Sequence, residues 1–396
     1  MRAASDTTQE RSVRRTAAKE AAVLRIYSYV FYSTMAVLVS YFPLYFADRG
    51  FSASQIGLLY AAGPAISIAA NLLTGMASDK YRTIRKLLIL LFAGQLIMLA
   101  VLLQAESFGL VIIVMTAFYF FQTPIQPLSD SLTLLSVSHT GRNYPSIRIF
   151  GSIGFAVSAY LIGMVLKQQG SGFTVMIAIG LVALSLVLAW LLRDYQGRFR
   201  AMDFSGFFTL VRQPRILFFF GTVLVLSISH RMYEGFLALT LREMGASQQL
   251  VGTAWFTSAV SEIPILFLLG RYGHKLRDLP LLAFASLMYA TRYFLMSYIE
   301  DPIYVIGLQL MHSVTFGIFF STALRYMTHL IPDEYRASGQ ALYAIVWAGI
   351  AGVISGTAGG ALFEAYGYQS FYSIASLLAA AAFAGFALMT AWARRR

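Results

Sequence analysis

Long apolar segments, interrupted by short polar breaks, run along almost the whole chain. Most of them contain about 20 residues or more, the length that an α-helix needs to cross a hydrocarbon core about 30 Å thick. The predicted helices are residues 26–47, 53–77, 87–104, 108–137, 146–167, 173–192, 216–241, 248–270, 279–299, 303–329, 337–363 and 369–392. We therefore expect an all-α integral membrane protein with twelve transmembrane helices.

The composition agrees with a membrane protein. Of the 396 residues, 58% are hydrophobic and 12% are charged, whereas soluble domains are about half apolar and about a quarter charged. No cysteine is present, which excludes disulfides and thiolate metal sites. The first 25 residues are polar and lack the apolar core of a cleaved signal peptide. We expect neither a metal nor a cofactor.

Lysine and arginine fall mainly in the short connections between the apolar segments. The net charge of +12 therefore reflects membrane topology, and we expect the chain to meet the lipid bilayer and not nucleic acid. Of the 30 basic residues, we place 23 on one side of the membrane and only Arg49, Lys167 and Arg242 on the other, with four inside helices. Because basic loops stay in the cytoplasm, the bias predicts a protein of the cell membrane with both termini cytoplasmic.

The two halves of the chain are related by a shift of 195 positions. The shift aligns residues at helix ends, where glycine and charge have structural meaning; the pairs include Gly50 and Gly245, Ser52 and Ser247, Gly57 and Gly252, Gly75 and Gly270, and Lys80 and Lys275. We predict two pseudo-symmetric six-helix bundles, residues 26–192 and 216–392, with a substrate cavity between them near the bilayer midplane. The predicted flanking parts are a cytoplasmic segment 1–25, a linker 193–215 and a basic tail 393–396.

The connection between the second and third predicted helices contains a glycine, an aspartate and several basic residues. Gly75, Asp79 and Lys80 are followed by further bases at Arg82 and Arg85. This segment resembles the signature G-x-x-x-D-[RK]-x-G-[RK]-[RK] of the major facilitator superfamily, although Arg82 stands where the signature has its second glycine. The resemblance implies the major facilitator fold and a gating role for Gly75, Asp79, Lys80 and Arg85, as a charge latch beside helix ends.

Short motifs elsewhere point to a narrower group. They are residues 41–45 (YFPLY), 127–130 (PLSD), 148–155 (RIFGSIGF), 261–264 (SEIP), 292–293 (RY) and 308–317 (LQLMHSVTFG). In their order and placement they resemble the phenylpropionate permease group, relatives of the lactose and nucleoside proton symporters. In lactose permease the arginine of the fifth helix pairs with a carboxylate of the fourth. Here Asp130 is the only acidic residue of the fourth predicted helix, so the partner of Arg148 stays open between Asp130, in a rearranged pair, and a carboxylate substrate. The resemblance implies a proton symporter that imports an aromatic acid, a sugar or a nucleoside.

Charged residues inside the apolar segments are the candidates for coupling chemistry. A charge at the bilayer centre costs on the order of 2.5 to 3.5 kcal/mol, so it normally faces a partner or a wet cavity. The candidates are Asp130, Arg148, His230, Glu234, Glu262, Arg292 and His312. Glu262 is the strongest, because it interrupts an apolar helix and Pro264 leaves a backbone carbonyl free. A static ion pair is the alternative role, and the coupling ion is expected to be the proton.

Helical depth relates some of these candidates to one another. At 1.5 Å per residue, Arg292 and His312 lie at nearly the same depth, with Glu262 nearer the cytoplasm. The partner of Arg292 stays open between Glu262 and a carboxylate substrate. His230 and Glu234 are four residues apart and share one helix face. Arg325 lies near the cytoplasmic end of its helix, where snorkelling to the interface explains it.

Amides and aromatic residues are candidates for substrate contact. They are Tyr119, Gln122, Gln126, Tyr233, Gln309 and Trp347. Interfacial belts or core packing are the alternative for each of them. Gly352, Gly356 and Gly360 are spaced by four and form a stripe that favours close helix packing.

Three functional alternatives follow from the residues. An exporter or antiporter of the same superfamily is disfavoured, because exporters often carry a Gly-Pro-x-x-Gly-Gly pattern in the fifth helix and residues 149–165 contain no proline. An enzyme is disfavoured by the lack of a phosphate loop, an H-E-x-x-H pair and a cysteine nucleophile. A sensor built on a transporter scaffold is the third. We expect a carrier of a small molecule and protons that functions as a monomer.

Overall fold

The structure is a computed structural model and describes residues 2–140, 143–195, 212–332 and 335–394. Arg142, most of the predicted linker 193–215 and the last two residues of the predicted basic tail lie outside the described residues. Within the described ranges the chain forms helices joined by short turns, without a strand. All twelve predicted apolar segments overlap these helices, so the all-α prediction is confirmed.

Fifteen α-helices are described, and π-helical segments at Ser313–Gly317 and Ile345–Ile350 interrupt the C-terminal half. The helices are α1 (Arg2–Ser40), α2 (Phe42–Asp48), α3 (Ala53–Tyr81), α4 (Arg85–Gln104), α5 (Phe108–Gln122), α6 (Ile125–Thr140), α7 (Pro145–Gln169), α8 (Thr174–Leu191), α9 (Pro214–Glu243), α10 (Gln248–Tyr272), α11 (Asp278–Met296), α12 (Pro302–Gln309), α13 (Ile318–Leu330), α14 (Arg336–Ala344) and α15 (Ala351–Arg394).

Several of these elements combine into helices of membrane-spanning length. Among the described residues, eleven helical runs are long and apolar enough to cross a bilayer. The last of them, Ser338–Ala393, contains 56 residues. Gly367 interrupts it with a φ of 70° and a ψ of 174°, a left-handed backbone conformation that is favourable only for glycine.

The helix ends reproduce the internal repeat seen in the sequence. Gly50 and Gly245, which the shift of 195 aligns, end α2 and α9 and have φ angles of 84° and 80°. Ser247 begins the helix that follows the second glycine by accepting a hydrogen bond from the backbone N–H of Leu250. A serine oxygen at this position satisfies one of the free N–H groups of the first helical turn. Aligned positions in the two halves therefore have the same structural role.

The described chain divides into two compact units. Unit 1 consists of the described residues of Met1–Leu38, Ala69–Ala159 and Gly172–Phe199, and unit 2 of those of Val39–Ile68, Tyr160–Ser171 and Arg200–Arg396. The ends of the first, second and fifth predicted helices thus pack within unit 2, with the second half of the sequence. The division into bundles 26–192 and 216–392 stays a prediction.

Charged and polar groups link these helix ends inside unit 2. Asp48 at the end of α2 accepts from Arg242 at 2.8 Å and also from the hydroxyl of Ser171. Glu364 of α15 accepts from the hydroxyl of Ser52 at 2.7 Å and from the backbone N–H of Ser54 at 2.8 Å, which caps the start of α3. Two carboxylates therefore hold the side of unit 2 that carries the ends of α2 and α9.

The predicted glycine stripe packs along α3 in the same region. A methyl group at Gly356 would lie 2.6 Å from the carbonyl oxygen of Gly57 and 2.9 Å from the Cβ of Ala61, while one at Gly352 would lie 2.5 Å from Pro64. These distances are shorter than van der Waals contact, so only glycine permits this approach of the two helices.

Candidate functional site

Arg292 of α11 lies at the centre of a hydrogen-bonded network in unit 2 and is only 1% exposed. Its Nη2 donates to the Tyr233 hydroxyl at 2.7 Å and to the Gln309 Oε1 at 2.6 Å. Its Nη1 donates to His312 Nδ1 at 3.1 Å and to the Thr315 hydroxyl at 3.3 Å. The guanidinium also lies 4.4 Å from the ring centroid of Tyr233. Among the described residues, no carboxylate lies within ion-pairing distance of this buried cation.

His312 connects Arg292 to Glu262. The imidazole Nε2 lies 2.9 Å from the Oε1 of Glu262 on α10. Because a guanidinium can only donate, His312 Nδ1 must accept from Arg292, and the ring proton must be on Nε2, where it is donated to Glu262. His312 is therefore neutral in this arrangement. Arg292 acts on Glu262 through the imidazole and not by direct contact.

Glu234 of α9 has a different environment from Glu262. Its Oε2 lies 2.6 Å from Nη1 of Arg231 and 3.8 Å from Nε2 of the buried His230. A guanidinium at this distance donates a charge-assisted hydrogen bond to the carboxylate. Glu262 has no lysine or arginine within ion-pairing distance among the described residues, and its side chain is 24% exposed. Glu234 is therefore paired with a cation, whereas Glu262 is paired with a neutral imidazole.

Aromatic rings pack around the two histidines. The rings of His230 and His312 both stack on Phe316, with centroid separations of 5.3 Å and 5.2 Å. His230 also packs against Trp347 at 5.1 Å, and its Nδ1 lies 3.4 Å from the Tyr289 hydroxyl. These rings exclude water from the imidazoles and fix their orientation.

Irregular helices bring these groups together. Phe316 and Thr315 lie in the π-helical segment Ser313–Gly317, which directly follows His312, and Trp347 lies in the second π-helical segment. A π-helical turn contains an extra residue, which re-aims the side chains beside it and occurs frequently at functional sites. Pro264 lies inside α10, two residues after Glu262, and removes one backbone hydrogen bond from that helix. The backbone is thus locally adapted where the network forms.

A second polar cluster lies in unit 1, where α1, α6 and α7 meet. It forms a pocket whose lining includes Tyr32, Gln126, Ser129, Asp130, Tyr144 and Arg148. Asp130 accepts from the Tyr144 hydroxyl at 2.8 Å, and the Arg148 guanidinium lies 4.2 Å from the ring centroid of Tyr32. No ion pair joins Asp130 to Arg148 among the described residues, so Asp130, one of the two partners left open for Arg148, does not pair with it here. The pocket offers a carboxylate and a guanidinium that do not neutralise each other directly.

The structure places the six predicted cavity residues differently from one another. Gln126 lines the unit 1 pocket. Tyr233 and Gln309 are buried, and their polar groups bond to Arg292 instead of facing a cavity. Trp347 is 5% exposed and packs in the aromatic cluster. Gln122 donates to Met35 Sδ at 2.9 Å, and Tyr119 packs against Phe118.

The predicted gating residues lie around the turn between α3 and α4. Asp79 is exposed and makes no ion pair among the described residues, so the predicted latch contact is not formed in this conformation. Lys80 lies over the ring of Tyr81. Arg82 has a φ of 50°, the one positive value among the described non-glycine residues. Arg82, which stands where the signature has its second glycine, thus has a left-handed backbone conformation that glycine adopts more readily.

Asp194, which the sequence did not single out, holds this turn in unit 1. Its carboxylate accepts from the Thr83 hydroxyl at 2.5 Å and from the backbone N–H groups of Ile84 and Arg85 at 3.1 Å each. Arg85 also donates to the carbonyl oxygen of Leu192 at 3.3 Å. A carboxylate at a helix N-terminus satisfies free N–H groups and stabilises the helix dipole. The sequence offered only a weak signal for this role, because Asp194 is one of two acids, with Asp203, in the basic linker.

Arg325 was explained from the sequence by snorkelling, but it forms an ion pair. Its Nε and Nη2 both lie 2.6 Å from Oδ1 of Asp278, in the first turn of α11. The pair ties α13 to the start of α11 within unit 2, apart from the network around Arg292.

Comparison with known proteins places the chain among transporters. The model of the MFS_1 like family matches residues 22–374. The maltose permease of Geobacillus stearothermophilus is 27% identical over 375 residues, covering 91% of this chain and 92% of that protein. The probable 3-phenylpropionic acid transporter of Escherichia coli (strain K12) is 25% identical over 357 residues, covering 88% and 92%. A crystal structure of the nucleoside transporter NupG, in its D323A form, has the same fold, with a TM-score of 0.85, 17% identity and coverage of 93% and 99%.

Proposed function

We propose that this chain, which belongs to the MFS_1 like family, is a proton symporter that imports a small organic solute by alternating access. Family membership and the named relatives support a multi-pass membrane carrier of a small molecule. Coupling to protons and inward direction are our proposal. The observation that carries it is the contact between Glu262 and a neutral His312, which in turn accepts from a buried arginine.

Glu262 is the proposed proton site because its environment differs from that of Glu234. Pairs of carboxylates held in unlike surroundings commonly divide their roles, one staying ionised and one exchanging a proton. Nη1 of Arg231 lies 2.6 Å from Oε2 of Glu234 and forms an ion pair with it. Among the described residues the ionisable partner of Glu262 is a neutral imidazole, and its side chain is 24% exposed. It is therefore the carboxyl that can take up a proton.

Protonation of Glu262 would be coupled to transport because it lowers the free energy needed to exclude water from the carboxyl group. An ionised carboxylate that is excluded from water without a cationic partner is strongly unfavourable. The loaded carrier would therefore change conformation with Glu262 protonated. A ligand that binds one conformation better shifts the equilibrium toward it, and here that ligand is the proton. Release on the cytoplasmic side would reset the carrier.

The polar part of the solute is proposed to bind in the unit 1 pocket. Asp130 and Arg148 both line this pocket, and among the described residues they form no ion pair with each other. Gln126 adds an amide to the same lining. A pocket with both charges and an amide suits a solute with several polar groups. Sugars, nucleosides and aromatic acids are the classes to compare.

Twelve crossings are proposed, with both termini in the cytoplasm. A continuous helix of 56 residues would be roughly 84 Å long, far more than a hydrocarbon core of about 30 Å. Gly367 breaks the helix at a point that leaves two lengths each able to span the membrane. An even number of crossings puts both termini on one side, and the distribution of basic residues assigns that side to the cytoplasm.

Uptake into proteoliposomes under an inward proton gradient tests the proposal. Purified protein is assayed with radiolabelled 3-phenylpropionate, maltose and a nucleoside. We expect one of them to accumulate against its own gradient and a protonophore to abolish the accumulation. Accumulation only when the proton gradient is reversed would indicate an antiporter and refute import. Binding without counterflow of any of the three would indicate a sensor.

A further inference from the structure

Three hydrogen-bond donors converge on one oxygen atom at Gln309. Its Oε1 accepts from Arg292 Nη2 at 2.6 Å, from the Ser258 hydroxyl at 2.7 Å and from the hydroxyl of Tyr233. The side chain is fully buried. Because the guanidinium can only donate, the oxygen and not the nitrogen of the amide must face Arg292. The orientation of this amide is therefore fixed by chemistry.

The other end of the amide has no acceptor. The Nε2 of Gln309 is buried without a hydrogen-bond partner. A buried donor without an acceptor is destabilising, and so is a buried arginine without a carboxylate. A glutamate at this position would remove both defects, since it would offer only acceptors and would pair with Arg292. The amide is the less stabilising choice, which points to a role other than stability.

We propose that Gln309 is a positioning residue that holds Arg292 in place without neutralising it. The uncompensated charge of Arg292 then acts through His312 on Glu262 and promotes release of the proton. This inference rests on the proposed function. It assigns Gln309 to coupling and not to substrate contact.

In the part of the chain that the structure describes, no carboxylate neutralises Arg292. The charged and titratable side chains around it are Tyr233, His230, Arg231 and Glu234 from α9, Glu262 from α10, Tyr289 and Tyr293 from α11, His312 beside the π-helical segment, and Tyr372 from α15. Of the carboxylates in this set, Glu234 bonds to Arg231 and Glu262 bonds to His312. The charge of Arg292 is thus left to act within the network.

The test compares Gln309→Glu with the wild type in proteoliposomes. The new carboxylate neutralises Arg292, so the proton should no longer be released efficiently. We expect the solute accumulated in a fixed time under a proton gradient to fall at least about tenfold, the change in rate that a barrier higher by about 1.4 kcal/mol produces. Energy-independent exchange should be retained, and the thermal midpoint should not fall. Gln369→Glu, the same change at an exposed position of unit 2, is the control and should accumulate normally.

Two further variants separate the possible failures. Arg292→Gln removes the charge directly and should reproduce the loss of accumulation, which keeps the test decisive if Gln309→Glu does not fold. Normal accumulation by a folded Gln309→Glu or by Arg292→Gln overturns the role of Gln309. Glu262→Gln is measured in parallel. If it also accumulates normally, the proposed proton site fails; if it alone is uncoupled, only the assignment of Gln309 fails.

Discussion

Replacing Glu262 with glutamine tests the proton site most directly. Glutamine keeps the volume of the side chain and has a carbonyl oxygen that can accept from His312 Nε2. In the wild type the Oε1 of Glu262 lies 2.9 Å from that nitrogen. The bond loses its charge assistance, which roughly halves its strength, but its geometry is retained. What the variant loses is the exchange of a proton. Its side chain is permanently neutral, like the protonated carboxyl, so the loaded carrier should still alternate while the coupled cycle stops.

The size of the effect follows from the driving force. One pH unit corresponds to about 1.36 kcal/mol per proton, so a gradient of two units supplies about 2.7 kcal/mol. With one proton per solute, this supports accumulation of about 100-fold. Glu262→Gln should bring the ratio to about one, because the solute only equilibrates. The expected difference is large compared with the error of a flux assay.

The assay measures uptake under the pH gradient and counterflow without it, on the same preparation. Glu106→Gln, which changes an exposed carboxylate between α4 and α5, is the matched control and should behave like the wild type. Loss of both uptake and counterflow would mean only that the variant is inactive, and binding of the solute would then be measured. Normal accumulation by Glu262→Gln would refute the assignment, and coupling would pass to His312 or to the pair of His230 and Glu234.

Three other predictions concern topology and the turn between α3 and α4. A reporter fused after Arg396 should read cytoplasmic, and a periplasmic or extracellular signal would overturn the orientation. Asp79→Asn should slow the exchange of bound solute more than it weakens binding, because Asp79 lies at the end of α3 and is not among the residues that line the unit 1 pocket; a collapse of affinity with unchanged exchange would contradict the gating role. Arg82→Gly should raise the free energy of unfolding by up to about 1 kcal/mol by relieving the left-handed backbone, whereas Arg82→Ala, which keeps the Cβ, should not.

The helices were predictable because the bilayer imposes a simple requirement. Any segment that crosses it must satisfy its own backbone and present apolar side chains, so every predicted segment corresponds to a described helix. The π-helical segments were not predictable. Phe316 and Trp347, one in each segment, lie 6.2 Å apart between ring centroids, and local sequence does not determine such a tertiary contact.

The types of residue in the network were also predictable, because charges in apolar helices are rare and costly. Depth put Arg292 and His312 at nearly the same level and left the partner of Arg292 open; in the structure the two side chains lie 3.1 Å apart. Depth did not identify the neighbour of Glu262, since it does not fix how each helix is rotated about its axis. The contact of Glu262 with His312 at 2.9 Å depends on that rotation.

Tyr233 and Gln309 show why a polar residue in a membrane helix is hard to assign. Such a residue either faces a cavity or satisfies a buried charge, and its identity does not distinguish the two. Spacing carries the missing information. Gln309 precedes His312 by three residues and Tyr233 follows His230 by three, so each pair shares a helix face. A guanidinium has five donors to satisfy, and the helix faces that carry the buried histidines are where acceptors for Arg292 should be sought.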